Sequence, residues 1–118
     1  MQKRLRLRNK QDFAKVFKHG KAAANHQFVV YVKKSHVESF RFGVSVSRKV
    51  GAAVVRNRVR RRVKEIVRRM EPEIAKQVDI VCIVRKPALE LDYEGLQRSL
   101  RHVFRRAQLL EESPRKAR

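Results

Sequence analysis

The sequence predicts a single α/β (α+β) domain in which helices cover one side of a small sheet and leave the other side open. Three observations carry this expectation. Hydrophobic periodicity changes along the chain in the order helix, strands, helix, strand, helix. Phe40–Ser47 alternates cleanly, with Phe42, Val44 and Val46 on one face and Arg41, Gly43, Ser45 and Ser47 on the other. One face of that strand is therefore apolar, and the other is polar and unusually free of bulk. Finally, 118 residues with 42% hydrophobic content suffice for one compact core, built mainly from aliphatic side chains because tryptophan is absent.

Taken in order, residues 1–8 alternate basic side chains with Leu5 and Leu7 and are expected to form an extended basic arm. Asn9 is suited to cap a helix whose first turn holds Asp12. Phe13, Val16 and Phe17 then share one face, and Gly20 ends the element, so the helix is placed at about 10–19. Lys21–Asn25 is short and small-residued, a candidate brief strand. Gln27–Lys34 is a Val-rich strand containing Phe28 and Tyr31, followed by a polar turn at Ser35–Ser39. After Phe40–Ser47, Gly51-Ala52-Ala53 opens a second helix at about 53–70, which Pro72 stops. Its apolar stripe is Val55, Val59, Val63, Ile66, Val67 and Met70. Val78–Arg85 is nearly continuously apolar apart from Asp79, as in a strand covered on both faces, and Lys86-Pro87 terminates it. Asp92 caps a last helix at about 93–109, with the stripe Tyr93, Leu96, Leu100, Val103, Phe104 and Ala107. Residues 111–118 are charged and expected to fray. Nothing marks a repeat, a linker or a domain boundary, so 1–118 reads as one domain.

Charge narrows the partner. Thirty-one Lys+Arg against eleven Asp+Glu give a formal net charge of +20. That much like charge opposes compaction, and a polyanion relieves it. Arg outnumbers Lys, and its planar fork matches phosphate oxygens and stacks on bases. Nucleic acid is the expected partner. A lone Cys82 in an apolar run excludes an internal disulfide framework and reads as a small buried hydrophobe. His19, His26, His36 and His102 are scattered, and the few carboxylates do not cluster at ligand spacing, so neither a catalytic nor a metal site is expected in the chain. No run approaches the roughly 18 apolar residues of a membrane span, and the first residues lack the apolar stretch of a secretory signal. A cytoplasmic protein with no membrane partner is expected.

The functional constellation lies in the second helix. Nine of the seventeen residues from Ala53 to Arg69 are Arg, Lys or Asn. The like-charged pairs Arg58–Arg62, Arg60–Lys64 and Arg61–Lys64 each cost about 0.2–0.5 kcal/mol. Such a helix depends on its Val/Ile stripe for stability, and its charges are there for another molecule. Asn57, Arg61, Lys64 and Arg68 lie opposite the stripe. For Arg68 and Arg69 a solvent face adding only diffuse charge is the plain alternative.

The run Lys49-Val50-Gly51-Ala52-Ala53-Val54-Val55-Arg56-Asn57-Arg58, then Arg60-Arg61 and Lys64-Glu65, resembles the Arg-Asn-Arg signature of the protein subunit of bacterial ribonuclease P. Asp12-Phe13 with Val16–Gly20 resembles that family's first helix, Phe28–Tyr31 its central strand, Phe42–Ser47 the strand entering the signature, and Asp79–Val84 with Arg85-Lys86-Pro87 its last strand and exit. The likeness spans about residues 5–108. Arg60 and Lys64 exchange one cation for another relative to common family forms. The resemblance implies a four-stranded sheet with three helices in the order α-β-β-β-α-β-α, and a left-handed crossover around the signature helix. It implies a ribonucleoprotein in which a catalytic RNA, with bound Mg2+, removes the 5′ leader of precursor tRNA. The protein is then accessory, needs no protein partner and binds no cofactor tightly itself. By resemblance, Lys49, Arg56, Asn57, Arg58, Arg60, Arg61, Lys64 and Arg68 meet the catalytic RNA. A leader-binding cleft between the first helix and the sheet is implied, with Phe13, Phe17, Tyr31, Ser45, Arg85 and Lys86 as its candidates. Pattern alone leaves core and cleft open for Phe13 and Phe17 and favours the core; the resemblance implies the cleft for at least one.

Overall fold

The computed structural model describes residues 6, 7 and 9–111. Most of the expected basic arm, and the residues beyond 111 where fraying was expected, lie outside the described residues. Three helices, α1 (Lys10–His19), α2 (Ala53–Arg69) and α3 (Tyr93–Arg106), combine with four strands, β1 (Lys21–Ala24), β2 (Phe28–Lys34), β3 (Phe40–Ser45) and β4 (Val78–Val84). The sheet order is β1-β2-β4-β3. β1 pairs antiparallel with β2 and β2 with β4, whereas β3 runs parallel to β4. A parallel pair needs a crossover, and α2 supplies it.

Local chemistry sets the ends. Asn9 caps α1, its side chain accepting from the Gln11 N–H at 2.7 Å. Gly20 ends α1 in an extended conformation rather than a left-handed turn. Glycine is needed there because a Cβ would stand 2.5 Å from the Val16 carbonyl oxygen and 2.7 Å from that of Val32. Asp92 caps α3 by accepting from the Gly95 N–H at 2.8 Å. α3 stops at Arg106, three residues short of the expected end. Gln108 takes φ 59, and the Gln108 and Leu109 N–H groups close back on Arg105 and Phe104. That left-handed cap swings Leu109 into the core. β3 likewise ends at Ser45 rather than Ser47, where the chain turns toward α2.

The main core lies between one sheet face and α2 and α3. Phe28, Val30, Phe40, Phe42, Ile80, Cys82 and Val84 meet Val59, Val63, Ile66, Val67, Leu96, Leu100, Val103 and Phe104, all buried. The apolar stripes of α2 and α3 are thus the ones their spacing predicts. Burial raises the Cys82 thiol pKa, which keeps it inert.

The second face is open only in part, where the sequence expectation left it bare. α1 lies across it, forming a smaller cluster of Leu7, Val16 and Val81 with Phe13 and Tyr31. Gly43 is buried, because Phe13 lies over it: a Cβ there would meet the Phe13 ring at 2.4 Å. The missing bulk on β3 is therefore a seat for α1 rather than a bare surface. The amino-terminal segment adds to this layer, with the Leu7 N–H donating to the Phe42 carbonyl at 2.8 Å beside the edge strand β3.

Candidate nucleic-acid interface

α2 presents its cations because its other side is fixed by burial. Val59, Val63, Ile66 and Val67 face inward. Asn57, Arg58, Arg61, Arg62, Arg68 and Arg69 are exposed, and Arg60 and Lys64 are half-buried along the edge. Glu65, the only acid on the helix, is already engaged, accepting from Arg68 at 2.8 Å and Arg69 at 3.0 Å. Those hydrogen bonds, from Arg68 first and then Arg69, lower the Glu65 pKa. Arg58, Arg60, Arg61, Arg62 and Lys64 have no ion pair among the described residues. Arg60 instead donates to the Asn57 side-chain Oδ1 at 2.9 Å, which aligns two adjacent side chains of the ridge.

Of the residues predicted to meet RNA, Asn57, Arg60, Arg61 and Lys64 line one shallow concavity with Val54. Arg58 and Arg61 line another, on the α3 side, with Arg62, Glu65 and Tyr93. Lys49 is exposed in the turn before α2. Arg56 is half-buried and donates to the Gly51 carbonyl at 3.1 Å, so part of its work is holding the start of the helix. Arg68, clamped by Glu65, keeps less free charge than its neighbours. Sequence reasoning missed Val54, the most exposed large hydrophobic among the described residues at 69%, although its i,i+3 and i,i+7 relation to Asn57 and Arg61 was readable.

The second candidate surface follows from strand register. Tyr31, Val81 and Gly43 form one row across β2, β4 and β3; Val29, Ile83 and Ser45 form the next. α1 covers the first row, and the second is only half-buried. Phe17 stands at the boundary, 40% exposed, with its ring edge-on to Tyr31 at 5.0 Å. Phe13 packs edge-on to Phe17 at 6.4 Å and sits deeper. The two phenylalanines thus divide: Phe13 serves packing, and Phe17 offers a ring to solvent. Arg85 and Lys86 are exposed at the carboxyl end of β4, where Arg85 continues the parity of Val81 and Ile83. Val29 and Ile83 were not singled out from sequence; β4 was expected to be covered on both faces, and on the second face it is so at Asp79 and Val81 but not at Ile83.

α1 is tied to the sheet by a charge network. Asp79, 5% exposed, accepts two hydrogen bonds from Arg41, Nε to Oδ1 and a terminal nitrogen to Oδ2, both 2.8 Å. Arg41 also lies 3.9 Å from Asp12 of α1. The hydrogen bond to Asp79 raises the Arg41 pKa against the opposing effect of burial. Among the described residues no three His, Cys, Asp or Glu side chains converge as a metal site would require. No helix among them is long and apolar enough to cross a membrane.

Comparison with known proteins identifies relatives of similar sequence and fold. The family described as Ribonuclease P matches residues 1–108. The ribonuclease P protein component of Bacillus velezensis is 46% identical over 117 residues, covering 98% of this chain and all of the relative. Among solved structures, the RNase P protein of Staphylococcus aureus superposes with a TM-score of 0.85 at 36% identity, covering 91% of this chain and 98% of that one. The RNase P protein of Thermotoga maritima gives 0.80 at 39% identity, covering 86% and 96%. With the Arg-Asn-Arg helix and the order α-β-β-β-α-β-α in place, the chain belongs to the ribonuclease P protein component family.

Proposed function

We propose that this chain, as the protein subunit of the tRNA 5′-processing endoribonuclease ribonuclease P, works through two RNA-facing surfaces. The ridge of α2 holds the catalytic RNA, and the cleft beside α1 holds the 5′ leader of precursor tRNA. The observation that carries this reading is the row Arg58, Arg60, Arg61, Arg62 and Lys64, with no carboxylate partner among the described residues. A phosphate backbone supplies the missing counter-charge, and its displaced counterions supply much of the binding free energy. Asn57 adds an amide able to pair with a base edge or a 2′-hydroxyl.

In the cleft, Phe17 and Tyr31 offer ring surface, Val29 and Ile83 an apolar floor, Ser45 a hydroxyl, and Arg85 and Lys86 charge at the rim. Stacking contributes about 1–3 kcal/mol per base and tolerates any base, which suits a site that meets many leaders. In this reading Mg2+, and the hydrolysis it supports, belong to the RNA, and the protein is accessory to the cleavage. The complex operates in the cytoplasm.

The test is reconstitution. Added to a bacterial ribonuclease P RNA at low magnesium, the chain should restore leader removal. Phe17→Ala should weaken binding of leader-bearing precursor by about five- to a hundredfold, the equivalent of one lost stack, and leave mature tRNA binding unchanged. Equal losses on both substrates would place Phe17 outside the leader site.

A further inference from the structure

We propose that Arg6, Arg60 and Lys64 form a single phosphate clasp, in which the catalytic RNA joins the amino-terminal segment to α2. The inference rests on the ridge reading above and adds to it a residue from a separate element.

Three observations carry it. First, the Arg6 backbone is fixed: Arg6 bridges to Phe42 along the edge of β3, and the next residue, Leu7, is 3% exposed and hydrogen-bonded to the Phe42 carbonyl at 2.8 Å. The Arg6 side chain is thereby delivered to one place rather than trailing in solvent. Second, the Arg6 Nε is buried and has no hydrogen-bond partner. A donor left without an acceptor costs about 1–3 kcal/mol, more when charged, so the fold gains no hydrogen bond from this atom that would explain why the Arg6 guanidinium is held there. Third, the three cations crowd one another. Burial lowers the Lys64 pKa first, then the charges of Arg6 and Arg60 lower it further. No carboxylate among the described residues pairs with any of the three.

A folded protein that gathers three cations from two elements against their repulsion offers a preorganised anion site. A phosphodiester, with its two free oxygens, fits it: Lys64 provides a compact ammonium, Arg60 a fork held in place through the Asn57 side chain, and Arg6 a second fork from a separate element. Because Arg6 lies outside the signature helix, the clasp makes the segment at residues 6–7 part of the RNA interface and not only a structural edge.

A double-mutant cycle on binding to a bacterial ribonuclease P RNA transcript tests this. Arg6→Gln should weaken binding about fivefold at ~0.15 M salt and flatten the log–log salt slope by about 0.7–0.9, the effect of one lost phosphate contact. Arg98→Gln, an exposed cation on α3, should change neither by as much. Arg6→Gln combined with Lys64→Gln should cost clearly less than the product of the two single losses, because both act on one phosphate. An unchanged affinity for Arg6→Gln, or strictly multiplicative losses, would overturn the clasp while leaving the ridge intact. If Arg61→Gln and Lys64→Gln also bind normally, the ridge itself falls.

Discussion

Gly43 shows how one missing side chain positions a functional element. Its place is taken by the Phe13 ring above and the Leu7 carbonyl beside it, 2.8 Å from where a Cβ would stand. Alternation along β3 correctly put Gly43 on the second face, and its lack of bulk was visible in sequence. What the sequence did not show is the residue that fills the gap, because Phe13 is thirty positions away and meets Gly43 only after the sheet has formed. Gly43→Ala should therefore destabilise the fold by about 1–3 kcal/mol, the usual cost of overpacking, since the Leu7 backbone cannot step aside as a side-chain tip can. It should also weaken leader binding, as the displaced Phe13 disturbs Phe17. Urea denaturation reads the first effect and the precursor-to-mature affinity ratio the second. An unchanged midpoint would mean that α1 is not seated as described.

α1 is the least locally determined element and the one on which the cleft depends. Its ten residues bury one side chain fully, Val16. Its place over β4 rests on that residue, the Phe13 seat and the Asp12–Arg41–Asp79 network. Arg41 and Asp79 are 38 positions apart, so only the odd acid in an otherwise apolar strand hinted at the pair. Replacing Arg41 with Met strands a buried carboxylate. The expected loss is toward the lower end of about 3–5 kcal/mol, because Arg41 itself remains 29% exposed. Adding Asp79→Asn should recover a large part of that loss, since the double variant no longer buries an unpaired charge. Urea midpoints of the three variants decide it. A double variant no more stable than Arg41→Met would show that the carboxylate is not the source of the cost. By contrast, α2 and α3 were legible almost residue for residue, because a 3.6-residue stripe is written locally and both pack on one continuous core.

At the scale of the molecule, a charge of +20 and a marginal fold are in tension, and α2 is where they meet. Sequence made the ridge legible, because like charges at helical spacing have no structural rationale of their own. It could not reveal Arg6 as the third member of the Lys64 cluster, which depends on the amino-terminal segment running beside β3. The same reasoning fixes the sign of a trade-off. Lys64 has its pKa lowered in the fold, so protonation is less favourable there than in the unfolded chain. Its contribution to stability is therefore unfavourable below that lowered pKa and is relieved as pH rises through it toward the ordinary lysine value. Lys64→Gln should accordingly raise the urea midpoint of the free protein near neutral pH while weakening its hold on the catalytic RNA. The stability gain over the native chain should shrink as pH climbs through the alkaline range, because native Lys64 then sheds its own proton. A variant that lost both stability and RNA affinity would make Lys64 a packing residue whose charge the fold needs, and the crowding of Arg6, Arg60 and Lys64 would no longer mark a site held ready for phosphate.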